Sequence, residues 1–295
     1  PPQPAPQPAP PPQPPKPKLE ACPNCGAPLT YNPEDLITVC EYCGYMINLT
    51  GGPLPRISML PVLVNGAAAM EIAKDHVAKG VFITRGMAER AEWGAIALRY
   101  VPVWAVTVQL QGEVWGERAL VKAKSVGAKI AQEVALEALG GVLSGFLGRG
   151  AGRAVADRWT RTVISEAMDV PVVARKAAAF QPDPGAFKLP LERKEPFRKT
   201  DEEVLNVEIS AQAAVEKARA IALDEVKARF TTIARFNVWA TPIGEPELIY
   251  VPWWFIEYRM AGRSYAVIVD GCTGKVIAGQ RPWLPVRIRK KGGVS

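Results

Sequence analysis

The sequence predicts an α+β protein: an N-terminal four-cysteine module, then two repeated helix-on-antiparallel-sheet units with a helical hairpin inserted between them. Three observations predict it. Tyr100–Gly116, "YVPVWAVTVQLQGEVWG", superposes without a gap on Tyr250–Ala266, "YVPWWFIEYRMAGRSYA". Tyr100 then falls on Tyr250, Pro102 on Pro252, Trp104 on Trp254 and Gly112 on Gly262. Each of these stretches follows a short apolar run and a helix-period run, so strand, helix and aromatic strand recur in that order. Two C-x2-C pairs precede both copies.

The order along the chain divides it as follows. Residues 1–19 are a proline-rich tail, where fixed φ and missing donors allow only polyproline II or coil. The tail reads as a semi-rigid spacer, or else as a ligand for an aromatic groove. Residues 20–50 are the cysteine module. The first repeat occupies 56–118: "ISMLPVLV" as a strand, "AAAMEIAKDHVAKG" as a helix stopping at Gly80, then a strand pair that turns at Gly112. Residues 119–180 read as the hairpin insertion. Its first helix is "ALVKAKSVGAKIAQEVALEALGGVLSGFL", broken by "GRGAG", and its second runs through "RAVADRWTRTVISEAM" to Met168. Proline and charge make 181–200 a linker.

The second repeat spans 201–281. "EVLNVEIS" is a strand ending at Ser210, a residue type suited to capping a helix N-terminus. The helix that follows puts Val215, Ala222, Val226 and Phe230 on one face, and four strand-like stretches come after it. In the aromatic strands Trp104, Val106, Val108 and Leu110 share one face, as do Trp254, Ile256, Tyr258 and Met260. Large residues at period two pack under a helix, so each unit is expected to lay its own helix on its own sheet. Pro102 and Pro252 cannot donate to a ladder and are expected at a strand start or edge. On the opposite face the second copy carries Trp253 and Phe255, where the first has Val103 and Ala105. That face needs a cover: the hairpin, the other repeat or a partner chain.

The motif with the sharpest chemistry is Cys22, Cys25, Cys40 and Cys43, spaced C-x2-C-x14-C-x2-C. Four thiolates in this pattern build a tetrahedral Zn(II) site. Gly26 and Gly44 follow the pairs, where a tight knuckle calls for positive φ. Two disulfides are one alternative reading and an iron centre in the same ligand set another, but close pairs suit a reducing compartment and a metal better than disulfides. One Zn(II) per chain is expected, structural because four protein ligands close the site.

Other nucleophile chemistry lacks its parts. Cys272 lies in a turn-like "VDGCTGKV", and the chain has one histidine, His76. The glycines at 145, 148, 150 and 152 lack the G-K-[ST] of a phosphate loop. Glu257 and Asp270 form no acid–base pair with a stated geometry. The net charge of +7 permits contact with nucleic acid or an anionic surface. Two basic stretches stand out: 188–199, and a C-terminal tail (282–295) with Arg287, Arg289, Lys290 and Lys291. Cations on a tail are suited to gripping phosphates, or are simply solvated. No stretch reads as a transmembrane helix and no secretory signal is visible, so a cytoplasmic protein is expected.

The four cysteines, "LPVLV", the helix ending at Lys79-Gly80 and "LRYVPVW" together resemble a family of uncharacterised prokaryotic proteins with a transcription-factor-B-type zinc ribbon. Residues 208–279, ending in "YAVIVDGCTGKVI", resemble a PepSY-type unit. The first resemblance implies a binding or scaffold role without catalysis. The second implies a unit that often restrains a peptidase outside the cytosol, in conflict with the compartment the ribbon implies. The function expected from all this is a non-enzymatic zinc-ribbon adaptor. Its leading partner is nucleic acid or a nucleoprotein such as the ribosome. The alternative is a structural protein that self-assembles through the proline-rich tail and the Trp253/Phe255 face.

Overall fold

The computed structural model describes residues 19–79, 90–118, 159–182 and 185–280. Most of the proline-rich tail, the insertion up to residue 158 and the basic C-terminal tail lie outside these residues. The chain divides into two compact units, one of Pro1–Val106, Val170–Glu216 and Gly244–Ser295, the other of Thr107–Asp169 and Lys217–Ile243.

In the first unit the cysteine module comes first, with a two-stranded antiparallel sheet of β1 (Ile37–Val39) and β2 (Met46–Asn48). β3 (Ile57–Met59) leads to helix α1 (Gly66–Ala78), whose N-cap Asn65 accepts a bond from the amide of Ala68 at 2.9 Å. Long strand β4 (Glu92–Arg118) and strand β5 (Thr160–Val173) follow. After β6 (Glu195–Pro196) and β7 (Glu203–Val204) come α2 (Ala211–Lys227), β8 (Phe230–Met260), β9 (Arg263–Asp270) and β10 (Val276–Gly279). The large sheet has the order β10-β9-β8-β3-β6, with β4 pairing β5, β7 and β8. The protein is thus richer in strand than the α+β reading expected.

Both faces of Tyr250–Phe255 are covered, because period-two alternation places apolar side chains on each, whereas Glu257 and Arg259 leave one face exposed beyond them. One face packs Ile256, Tyr258 and Met260, with Val267 and Val269 of β9, against Ala69, Ala73 and Val77 of α1. Small residues at every fourth position let α1 lie close to the strands. This corrects the expected pairing: α1 packs on strands assigned to the second repeat. The other face packs Val251 and Trp253 with Val101, Val103, Val173 and Leu60.

The supposed linker, together with Phe180 at the end of the supposed hairpin insertion, supplies the cover for that second face. Phe187 meets Trp253 edge-on at 5.3 Å, and Phe180 meets Phe255 at 5.6 Å. Arg99 lies 5.2 Å above the Phe255 ring. Trp253 is 0% exposed. The face that the sequence left open to a partner is therefore filled by the chain itself, as its aromatic area demands.

Three local expectations are also corrected. Residues 160–168 form strand β5 and not a helix: Ile164, Val170 and Val172 are buried at even positions, and Thr160, Thr162 and Val163 are β-branched. Gly112 does not turn the chain; β4 passes straight through it, whereas Ala261 and Gly262 do turn, at φ 50° and 75°. Pro102 and Pro252 sit inside their strands, each offering only its carbonyl, to Ala174 at 2.8 Å and Gly271 at 2.7 Å.

In the second unit, Arg161 binds Glu113 at 2.6 Å, Thr107 donates to Asp169 at 2.7 Å, and Arg229 pairs with Glu166 at 2.6 Å. Arg219 donates to the carbonyl of Ala240 at 3.0 Å. Gly112, at φ 144°, lies where the backbone of Asn237 would collide with any Cβ. Val163 and Trp239 are 69% and 67% exposed on this unit's strands.

Candidate metal centre

Each C-x2-C pair closes a knuckle by the same pair of bonds. The amide of Gly26 donates to Cys22 O at 2.9 Å and the amide of Cys22 to Ala27 O at 2.8 Å. In the second knuckle Gly44 donates to Cys40 O at 2.8 Å and Cys40 to Tyr45 O at 2.9 Å. Both glycines have the positive φ that this turn requires, 76° and 72°. The β1–β2 ladder flanks the second knuckle, an Ala21–Pro28 bridge closes the first, and the module has a small core of Ile47 and Leu49, with Leu29 and Tyr31 packed against it.

The four sulfurs lie within 4.8 Å of one another. Cys22 and Cys43 are 3.7 Å apart, as are Cys25 and Cys40. Zn–S bonds of about 2.3 Å in a tetrahedron separate sulfurs by about 3.8 Å, so the cage fits one zinc ion. The disulfide reading fails, because all five cysteines are unbridged.

Crowding splits the acidities of the thiols. The Asn24 side-chain amide, aided by the Tyr45 backbone, pulls Cys43 down to about 6. For Cys25 the Ala27 amide works downward, but neighbouring thiols and burial push it up to about 12. A divalent cation would hold all four sulfurs as thiolates at neutral pH. With every position taken by sulfur, such a site has none left for a substrate.

No protein-family model, curated protein or solved structure matches this chain. The likenesses to the transcription-factor-B-type family and to PepSY units thus gain no support from comparison, and the zinc module stands on its own geometry.

That module is clamped to the rest of its unit. Asp35, fully buried, accepts bonds from the amide of Asn32 at 2.7 Å and from Asn206 Nδ2 at 2.8 Å. Arg175 lies between Glu208, at 2.9 Å, and Asp35, at 3.7 Å. Leu36 donates to Val207 O at 2.6 Å, and Val207 donates back to Ile37 O at 2.9 Å. Lys199 reaches Tyr42 O at 2.6 Å. The sequence reading missed Asp35, Arg175 and Val207. One sign was legible: "PEDL" places a carboxylate directly before an apolar run.

Between the module and residues 197–204 runs a groove of about 400 Å³. Val39, Phe197 and Val204 line it with apolar surface, Glu41, Asp201, Glu202 and Glu203 with carboxylates, and Lys199 with a cation. Tyr42 and Tyr45, on the second knuckle, are exposed.

The remaining sequence candidates separate. Arg287, Arg289, Lys290 and Lys291 lie outside the described residues. Asp270 is buried and serves its own turn, accepting from the amide of Cys272 at 2.9 Å and from Thr273 Oγ1 at 2.6 Å. Burial pushes the Cys272 thiol up, away from the reactive thiolate. Among the described residues, no helix is long and apolar enough to cross a membrane.

Proposed function

We propose that the chain is a non-enzymatic zinc-ribbon adaptor whose basic C-terminal tail contacts nucleic acid or a nucleoprotein. The observation that carries this reading is the closed four-sulfur cage, which fits a structural metal and leaves no coordination position for chemistry. Charge favours the tail as the grip. Residues 19–55 contain Glu20, Glu34, Asp35 and Glu41 but no lysine or arginine, so the ribbon offers phosphates nothing. The tail carries Arg287, Arg289, Lys290 and Lys291. The self-assembly alternative loses its surface, since Phe187 and Phe180 occupy Trp253 and Phe255.

The adaptor body reads as two copies of one unit that exchange helices. Trp254 donates its indole N–H to Val64 O at 2.8 Å, immediately before the N-cap of α1. Trp104 donates to Ile209 O at 2.7 Å, immediately before Ser210, whose hydroxyl caps α2. Leu60 donates to Tyr250 O and Leu205 to Tyr100 O, at 2.9 and 3.0 Å. Each set of bonds maps onto the other when the aromatic strands are aligned, which supports duplication with reciprocal docking.

The test is nucleic-acid binding by the zinc-loaded chain across a salt series. Each phosphate contact releases counterions, so affinity falls steeply with salt. Deleting residues 286–295 removes four cations and flattens the slope of log K against log salt by roughly three to four contacts' worth. Unchanged binding after the deletion would refute the tail as the grip.

A further inference from the structure

We propose that the groove beside the zinc ribbon binds the chain's own C-terminal segment, residues 281–295. This goes beyond the proposed function and does not depend on it, since it needs no nucleic acid.

The groove and the segment are complementary in two respects. Glu41, Asp201 and Glu202 are exposed along the groove and make no ion pair among the described residues, whereas the neighbouring Glu203 is held by Arg99 at 2.6 Å. A zinc ion held by four thiolates adds two further negative charges beside them. The segment "RPWLPVRIRKKGGVS" has five cations and no acid. Its core, Val286-Arg287-Ile288-Arg289, alternates apolar and basic. In an extended chain such alternation presents apolar side chains to one side and guanidinium groups to the other. Val39, Phe197 and Val204 would take the first set, and the carboxylates the second.

The length of chain is sufficient. The described residues end at Gln280, just after β10. The sheet order β10-β9-β8-β3-β6 puts four inter-strand steps between β10 and β6, the strand that leads into residues 197–204. At about 4.8 Å per step this is roughly 19 Å. Ten extended residues span up to about 35 Å.

In this arrangement the carboxylates of the ribbon groove and the phosphates of a nucleic acid compete for one set of cations. The ribbon then acts as the rest position of the tail, and charge on the groove tunes how readily the tail leaves it.

Two measurements test the proposal on the zinc-loaded protein. Zero-length carboxyl–amine crosslinking of the dilute full chain should join Lys290 or Lys291 to Glu41, Asp201 or Glu202 within one chain. A synthetic peptide of residues 281–295 should bind the chain truncated at Gln280, followed through Trp283 fluorescence. The Glu41→Gln, Asp201→Asn, Glu202→Gln triple variant should weaken the peptide roughly tenfold or more. A peptide with the same residues scrambled should bind more weakly than the native order. Crosslinks formed only between chains, equal binding of the scrambled peptide, or affinity unchanged in the triple variant would each overturn the proposal.

Discussion

Removing the metal should loosen more than the ribbon. In Cys40→Ser, or after chelation, the two knuckles lose their tie, and a module whose own core is a few side chains unfolds. Its bonds to the rest of the unit go with it. Three are buried or nearly so: Leu36 to Val207, Val207 to Ile37, and Asn206 to Asp35. At about 0.5–1.5 kcal/mol each, their loss removes about 2–4 kcal/mol from the 205–209 segment. The Lys176–Glu34 pair is exposed on both sides and adds little. Arg175 keeps Glu208 and is not left as a lone buried charge. Hydrogen exchange resolved by mass spectrometry reads this directly. The Val207 amide loses its acceptor outright. Leu205, Glu208 and Ile209 keep theirs, on Tyr100 and Ala174, but lose local support. Protection across 205–209 should fall by about 30- to 900-fold, the equivalent of that free energy. Zinc-dependent exchange confined to residues 20–50, with 205–209 unmoved, would refute the clamp.

Replacing Trp104 or Trp254 with Phe strands a carbonyl at a helix entry and thins the packing, so each should cost about 2–4 kcal/mol in denaturant unfolding; a cost below about 0.5 kcal/mol in either would count against reciprocal docking. Gly112→Ala must fit a Cβ against the Asn237 backbone at positive φ, so a loss of about 2–4 kcal/mol is expected by the same measurement, and a neutral substitution would contradict the close approach. For Glu247, burial works against the charge, but hydrogen bonds from Lys194 and Ser58 hold its carboxyl below the ordinary glutamate range. A depressed folded pKa gives stability that is present above the unfolded value of roughly 4.3 and lost as pH falls through the folded one. Urea unfolding at stepped acidic pH should therefore show a flatter decline for Glu247→Gln than for the native chain; identical slopes would reject the assignment.

The local chemistry of the metal centre was legible because it depends on spacing alone. Four cysteines in close pairs, each followed by glycine, form two knuckles, and their sulfurs do meet. The aromatic strands were legible for a similar reason: apolar residues at both parities across Tyr250–Phe255 report burial on both faces. What failed depended on the partner across the sheet. Thr160–Met168 has enough alanine, glutamate and arginine nearby to pass for a helix, and only pairing with β4 makes it a strand. Gly112 and Gly262 occupy equivalent places in the aligned stretches, yet one is crossed by a neighbouring backbone and the other turns. The docking of α1 on β8 and β9 was not legible, because a face of small apolar residues fits any apolar strand surface equally well. Trp254 donates to Val64 O just ahead of α1, and Trp104 to Ile209 O just ahead of α2. The same chain segments, 195–209, then carry both the helix entry and the ribbon clamp, so the metal, the groove and the fold of the body are coupled through a single stretch.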